Sequence, residues 1–84
     1  MSPSVSNGIE IMDLHGKNAY QAQIAIDASL RRVRPDTYRL RLIHGYHGGN
    51  VIADLIATKY SAHPKVLRLM KIDNGTTDLV LREL

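Results

Sequence analysis

The sequence has no cysteine, no tryptophan and no phenylalanine. Without cysteine the chain can form no disulfide framework, no thiolate zinc site and no cysteine nucleophile, which argues against a small secreted scaffold. A reducing compartment fits this composition, and we predict a cytoplasmic protein. No apolar run is long enough to cross a bilayer, because Asp54 interrupts the apolar segment 51–57, so we predict no membrane partner.

Aromatic residues make up only 5% of the chain, so we expect a core built from leucine, isoleucine, valine, alanine and methionine. The length of 84 residues suffices for one domain. Hydrophobic residues at 44% and charged residues at 23% are ordinary for a globular protein, so the chain should fold. The net charge of +3 permits a polyanionic partner without requiring one.

Turn residues and apolar spacing divide the chain into a leader and one domain. Residues 1–8 are mostly serine, proline, asparagine and glycine, which predicts a disordered leader, with the domain over residues 9–84. The predicted elements are a strand over 9–14, a helix over 18–33, a strand over 37–43, a helix over 51–60, and strands over 66–72 and 77–84. Asn18 and Asn50 are the candidate helix caps.

This order of elements predicts an α/β two-layer sandwich of the form β-α-β-α-β-β. Strands joined by a helix should run parallel, whereas the Asn74-Gly75 turn makes the last strand antiparallel, so the four-stranded sheet is mixed. Two helices can cover one face of four strands. We expect the other face to meet solvent or a ligand, and the alternation of the second strand places Arg39 and Arg41 there.

Titratable residues and glycines follow the first two predicted strands. If these strands are parallel, Asp13, His15, His44 and His47 converge at one sheet edge, where open α/β sheets bind ligands. A carboxylate beside an imidazole makes a usable general acid or base, and phosphodiester cleavage fits this set. The same residues could bind a divalent metal, but ligands on a glycine loop are poorly preorganised, so no cofactor is indicated.

The glycine-rich segment 44–49 leads directly into the second helix, so its backbone amides could hold a phosphate. A tight turn without a ligand is the alternative, just as a solvated surface is the alternative for the nearby basic residues. Tyr46 could stack on an unpaired base. The candidate nucleic-acid contacts are Lys17, Arg39, Arg41, Gly45, Tyr46, His47, Gly48, Gly49 and Asn50.

At these two motifs the sequence resembles the Smr, or small MutS-related, domain. The family's Leu-Asp-Leu-His-Gly motif is similar to Met12-Asp13-Leu14-His15-Gly16, with Met12 in place of the first leucine. Its Ile-Ile-His-Gly-x-Gly-x-Gly motif is similar to residues 42–49, with His47 where the second glycine of the loop is expected. The resemblance runs from about residue 9 to residue 84.

The resemblance implies a fold similar to the C-terminal domain of translation initiation factor three. It implies binding to structured DNA or RNA, with nicking or cleavage in several members, and contact with the ribosome in some. By matched position, Asp13, His15 and His44 become the catalytic group, and Gly45 and Gly49 shape the backbone around them. Larger relatives attach the module to an ATPase, so we expect a stand-alone or excised unit here.

Three functions remain open at this point. The first is an endonuclease in which the imidazole of His44 or His15 acts as general base or acid and Asp13 orients that imidazole. The second is a non-catalytic module that binds nucleic acid or the ribosome through the same surface. The third is a protein-interaction domain that pairs through its sheet. We expect a monomer for the first two.

Overall fold

The fold is a mixed sheet with two helices packed on one face, seen in a computed structural model that describes residues 4–6, 8–45 and 50–83. The elements are β1 Ser4–Ser6, β2 Ile9–Asp13, α1 Ala19–Arg32, β3 Arg39–Ile43, α2 Val51–Lys59, β4 Arg68–Asp73 and β5 Thr76–Val80. The strand order is β1-β2-β3-β5-β4. β2 and β3 are parallel and the other neighbouring pairs are antiparallel, which confirms the predicted mixed four-stranded sheet, with β1 added at one edge.

Helix α1 begins where the sequence predicts. The Asn18 side chain accepts a hydrogen bond from the Gln21 backbone amide at 2.8 Å, and the Gln21 side chain accepts one from the Asn18 amide at 3.0 Å. This reciprocal pair is a capping box, which satisfies two amides that the first helical turn leaves free. The helix ends before Pro35, whose ring cannot continue it.

Helix α2 begins without the side-chain cap that we predicted. Asn50 precedes the helix, but its side chain makes no capping hydrogen bond, and only its carbonyl accepts from the Asp54 amide, at 2.8 Å. The helix is extended by a 3₁₀ turn over Tyr60–Ala62. Asn50 therefore marks the helix start with its backbone and leaves its amide side chain available at the surface.

The core contains a tyrosine in addition to the aliphatic residues that the composition predicts. Tyr60 is fully buried among side chains of both helices and the sheet. Its hydroxyl donates to an Asp27 carboxylate oxygen at 2.6 Å, so the buried oxygen is satisfied. Burial raises the pKa of Tyr60 above its ordinary range, and the hydrogen bond to Asp27 acts in the same direction.

The predicted disordered leader is wrong for Ser4–Ser6, which form β1 against β2. Their composition gave no strand signal because pairing at a sheet edge uses backbone amides and carbonyls rather than apolar side chains. Gly8 connects the two strands with φ +80°. Its carbonyl accepts from the Tyr38 amide at 2.8 Å, so this connection is also tied to the start of β3.

Replacing Gly8 with alanine should destabilise the domain by about 2 kcal/mol, from left-handed strain plus a steric clash. An added Cβ would lie 2.7 Å from Tyr38 Cδ1 and 2.9 Å from the Asp36 carbonyl oxygen. Gly16 has the same φ with nothing within 4 Å of such a Cβ, so Gly16→Ala should cost only about 1 kcal/mol. Urea unfolding of both variants measures the difference, and equal losses would contradict the clash.

Candidate functional site

The two motifs meet at one edge of the sheet, which we call the carboxyl edge and define by residues 13–16, 44 and 45. Asp13 lies opposite Ile43 in the β2–β3 register, which confirms the predicted parallel pairing. The Leu14 amide donates to the Ile43 carbonyl at 2.7 Å, and a Cβ on Gly45 would lie 3.6 Å from the His15 Cβ. The carboxyl edge therefore brings the ends of both motifs into contact.

Asp13 and His15 form a hydrogen-bonded pair on this edge. The Asp13 carboxylate is 2.5 Å from His15 Nδ1 and also accepts from the His15 backbone amide at 3.0 Å. Both side chains are more than half exposed to solvent. The hydrogen bond from the His15 ring, followed by that from its amide, holds the pKa of Asp13 below its usual value. The Asp13 carboxylate thus holds the His15 ring in place at the edge of the sheet.

This pairing can be tested by replacing His15 with alanine and following Asp13 by NMR during a pH titration. The pKa of Asp13 should rise toward its ordinary value, but not reach it, because the backbone amide of residue 15 still donates. Lys17→Ala should move this pKa less, since the charge of Lys17 contributes least to the shift. The pair stabilises the fold above the ordinary aspartate pKa and loses this effect as pH falls through the lowered value. A larger shift in Lys17→Ala would contradict the pairing.

His44 lies in a different environment, on the helix-covered side of the same edge. Its side chain is 9% exposed, and it follows Leu42, which is buried in the core. Nδ1 lies 2.9 Å from the Gly45 carbonyl oxygen and Nε2 lies 3.1 Å from Thr77 Oγ1. A carbonyl can only accept, so Nδ1 carries a proton and both ring nitrogens have partners.

Alternation along the strands separates His44 from Asp13. Alternate side chains of a strand lie on the same face, so Asp13 shares a face with Ile11, which lies opposite Arg41 on the face without helices. His44 shares the other face with Leu42. The two residues are neighbours along the carboxyl edge but their side chains lie toward opposite faces of the sheet. Of the two histidines that we predicted as partners of Asp13, the structure therefore pairs it with His15.

The turn of the β4–β5 hairpin holds the end of β3 in place. The amides of His44 and Gly45 both donate to the Gly75 carbonyl oxygen, at 2.9 and 3.0 Å. Gly45 has φ +73°, a backbone conformation that favours glycine. We did not identify Thr77, which bonds His44, as a site residue, because a threonine in a strand gives no sequence signal for a partner 33 positions away.

Arg39 and Arg41 lie on the face of the sheet without helices, as the strand alternation predicts, and both are paired with one carboxylate. Asp78, which is fully buried, lies 2.9 and 3.0 Å from two Arg41 nitrogens and 3.3 Å from Arg39 Nη1. The hydrogen bonds to Asp78 raise the pKa of Arg41 further above its ordinary value. The centre of this face therefore holds a hydrogen-bonded cluster of Arg39, Arg41 and Asp78. Its one carboxylate offsets part of the positive charge of the two guanidinium groups.

Of the remaining predicted contacts, the structure describes Lys17 and Asn50. Both are exposed. Tyr46, His47, Gly48 and Gly49 lie outside the described residues. In the part of the chain that the structure describes, no group of three or more histidine and acidic side chains could hold a metal ion. No helix in that part is long and apolar enough to cross a membrane.

Fold and site together define a small α/β sandwich with an Asp-His pair and a buried histidine at the end of its parallel strands. Among solved structures, the chain is similar to the crystal structure of the Smr domain of Thermus thermophilus MutS2, with a TM-score of 0.76 and 24% sequence identity. The match covers 87% of this chain and 98% of the Thermus domain. This likeness shows that the chain has the fold of that Smr domain and confirms the predicted fold class. No family model and no curated protein sequence matches the chain.

Proposed function

We propose that this domain binds structured DNA or RNA and hydrolyses a phosphodiester bond at its carboxyl edge. The observation that carries the proposal is the Asp13–His15 pair, an imidazole held by a carboxylate at 2.5 Å on a solvent-exposed rim. The likeness to the Smr domain of a MutS-type protein fits the same class of substrate. Cleavage uses the pair, and binding uses the basic and backbone groups around it.

The hydrogen bond between Asp13 and His15 determines which ring nitrogen of His15 can accept a proton. With Nδ1–H donating to Asp13, the neutral imidazole of His15 presents Nε2 as a proton acceptor. Nε2 takes a proton from an attacking water molecule as the water oxygen bonds to phosphorus and the bond between phosphorus and the leaving oxygen breaks. Asp13 stabilises the imidazolium that forms, and the same proton is then available to the leaving oxygen. His15 is therefore the general base in this scheme and Asp13 its orienting partner.

His44 serves this scheme as a positioning residue. Both of its ring nitrogens are engaged, so it has no free nitrogen for a proton transfer unless it breaks a bond to Gly45 or Thr77. Through its own amide and its ring it fixes the backbone at Gly45, which lies against His15. We therefore assign the role of general base to His15 rather than to His44, a choice that the sequence left open.

Phosphate binding is assigned to the surface around the pair. Lys17 is exposed two residues beyond His15, and backbone amides over residues 45–50 are the remaining candidates, with Tyr46 as a stacking residue. Arg39 and Arg41 would contribute only the charge that Asp78 leaves uncompensated. The same proposal includes a cytoplasmic location, a monomeric state and contact with the ribosome.

The test is to incubate the purified domain with end-labelled single-stranded, duplex and branched DNA and RNA, with and without a chelator. We expect cleavage of at least one structured substrate, and binding that weakens steeply as salt rises. Binding without cleavage would replace the nuclease with a non-catalytic nucleic-acid-binding module. A lack of affinity for every substrate at moderate salt would overturn the proposal, and a dimer in sedimentation would then favour a protein-interaction domain.

A further inference from the structure

A cleft of about 480 Å³ opens beside His44, between helix α2 and the β4–β5 hairpin. We call it the α2 cleft. Its apolar lining includes Ala53, Ile56 and Ala57 on the helix and Leu69 on β4. The two alanines leave room above the helix that larger side chains would fill, and a volume in this range suits a small organic ligand.

The polar groups of the α2 cleft have the wrong charge for a phosphate. Among the described residues that line it, the ionisable side chains other than His44 are Asp54, Asp73 and Lys71, two carboxylates against one ammonium. A phosphodiester would be repelled by this balance. A neutral, flat ligand that donates hydrogen bonds would not be repelled, and it would place its faces against the apolar lining.

The carboxylate of Asp54 is available to such a ligand. Asp54 lies in the first turn of α2 and is exposed, and its carboxylate accepts no hydrogen bond from any residue that the structure describes. The Asp73 carboxylate, by contrast, accepts from the Gly75 amide at 2.9 Å. An ionised carboxylate only accepts hydrogen bonds, and its two oxygens best match two adjacent donors.

We propose that the α2 cleft binds an unpaired guanine base of the nucleic-acid ligand, with Asp54 as the residue that selects it. Guanine is the common base whose pairing edge carries two adjacent donors, the ring N1–H and the exocyclic amine. The inference rests on the proposed function. His44 belongs to the carboxyl edge and also lines the cleft, so a base in the cleft lies beside that edge. The Asp13–His15 pair lies across the carboxyl edge from the cleft, toward the opposite face of the sheet, and its task is chemistry rather than selection.

The direct test uses mononucleotides, which need no cleavage and no extended binding surface. Titration of guanosine monophosphate should shift the NMR signals of residues 53, 57 and 69. Inosine monophosphate lacks the exocyclic amine and should bind about tenfold more weakly, because it leaves one carboxylate oxygen without a donor. Asp54→Asn should abolish this difference. Ribose 5-phosphate, which lacks a base, should leave the three signals unmoved.

Two leucine variants provide the matched pair for oligonucleotide binding. Ala57→Leu fills the α2 cleft, whereas Ala62→Leu makes the same change at an exposed position outside it. Ala57→Leu should weaken binding of a single strand with one guanine by about tenfold, the effect of losing one stacked base. It should not change binding of the same strand with an abasic site, and Ala62→Leu should change neither.

The outcomes separate the cleft from the proposed function. Equal binding of guanosine and inosine monophosphates, or equal effects of the two leucine variants, overturns the cleft proposal while nucleic-acid binding stands. If no oligonucleotide binds, the proposed function fails, and the mononucleotide titration still decides whether the α2 cleft holds guanine. Shifts produced by ribose 5-phosphate alone would show a phosphate in the cleft and would also overturn the proposal.

Discussion

Replacing Asp78 with asparagine is expected to lower the free energy of unfolding by about 3 kcal/mol, the usual cost of removing one partner from a buried ion pair. Asp78 is fully buried, whereas the side chains of Arg39 and Arg41 are 23% and 28% exposed. Asparagine keeps the shape of the side chain but leaves two guanidinium groups without a counter-charge. For a domain of this size the midpoint of thermal unfolding should fall by about 12 to 24 °C.

The matched control is Asp36→Asn. Asp36 lies 3.5 Å from Arg34 Nε, and both side chains are 73% exposed, so solvent screens this pair and its loss should cost less than about 1 kcal/mol. Thermal unfolding followed by circular dichroism measures both variants in the same buffer. If Asp78→Asn is no less stable than Asp36→Asn, the cluster on the helix-free face does not hold the sheet together.

Replacing His15 with alanine is expected to reduce the rate of phosphodiester cleavage by about 10²- to 10⁴-fold, the usual contribution of a general base. Binding should be little changed, because phosphate contacts are assigned to other groups. Asp13→Asn should also slow cleavage, since it removes the acceptor that orients the ring.

His63→Ala is the control for this experiment. His63 precedes β4, and thus lies toward the opposite end of the sheet from the carboxyl edge, where it packs on Tyr60 and its Nδ1 accepts from the Lys65 amide. Its loss should leave the rate unchanged. Measurement of single-turnover rates at saturating protein separates cleavage from binding. A His15→Ala domain that cleaves at the original rate would remove the general base from the mechanism.

The parts of the fold that the sequence predicts are those in which neighbouring residues decide the structure. Asn18 and Gln21 are three positions apart and cap α1 by themselves, and Asn74-Gly75 makes the hairpin turn. Apolar spacing likewise identifies the buried side of α1, with Ala22, Ile26 and Leu30 in the core. The meeting of the two motifs follows from one further step, the parallel pairing of strands joined by a helix.

The parts that the sequence does not predict depend on contacts between distant residues. Asp78 reads as a solvent-facing charge in a strand, and only the register against Arg41, 37 positions away, makes it a buried counter-ion. The same holds for Thr77 as the partner of His44. Asp13 has two candidate partners, His15 and His44, in the sequence. Only the pairing of β2 with β3 shows that His44 lies toward the opposite face of the sheet from Asp13.

The central position of β3 has a consequence for how the chain acquires its structure. β3 lies between β2, which precedes it by one helix, and β5, the last strand of the chain. Leu40 is paired on one side with Glu10 and on the other with Leu79. Such long separations favour slow, all-or-none folding. A chain cut between residues 45 and 50 should therefore give two unfolded fragments that regain structure only when mixed.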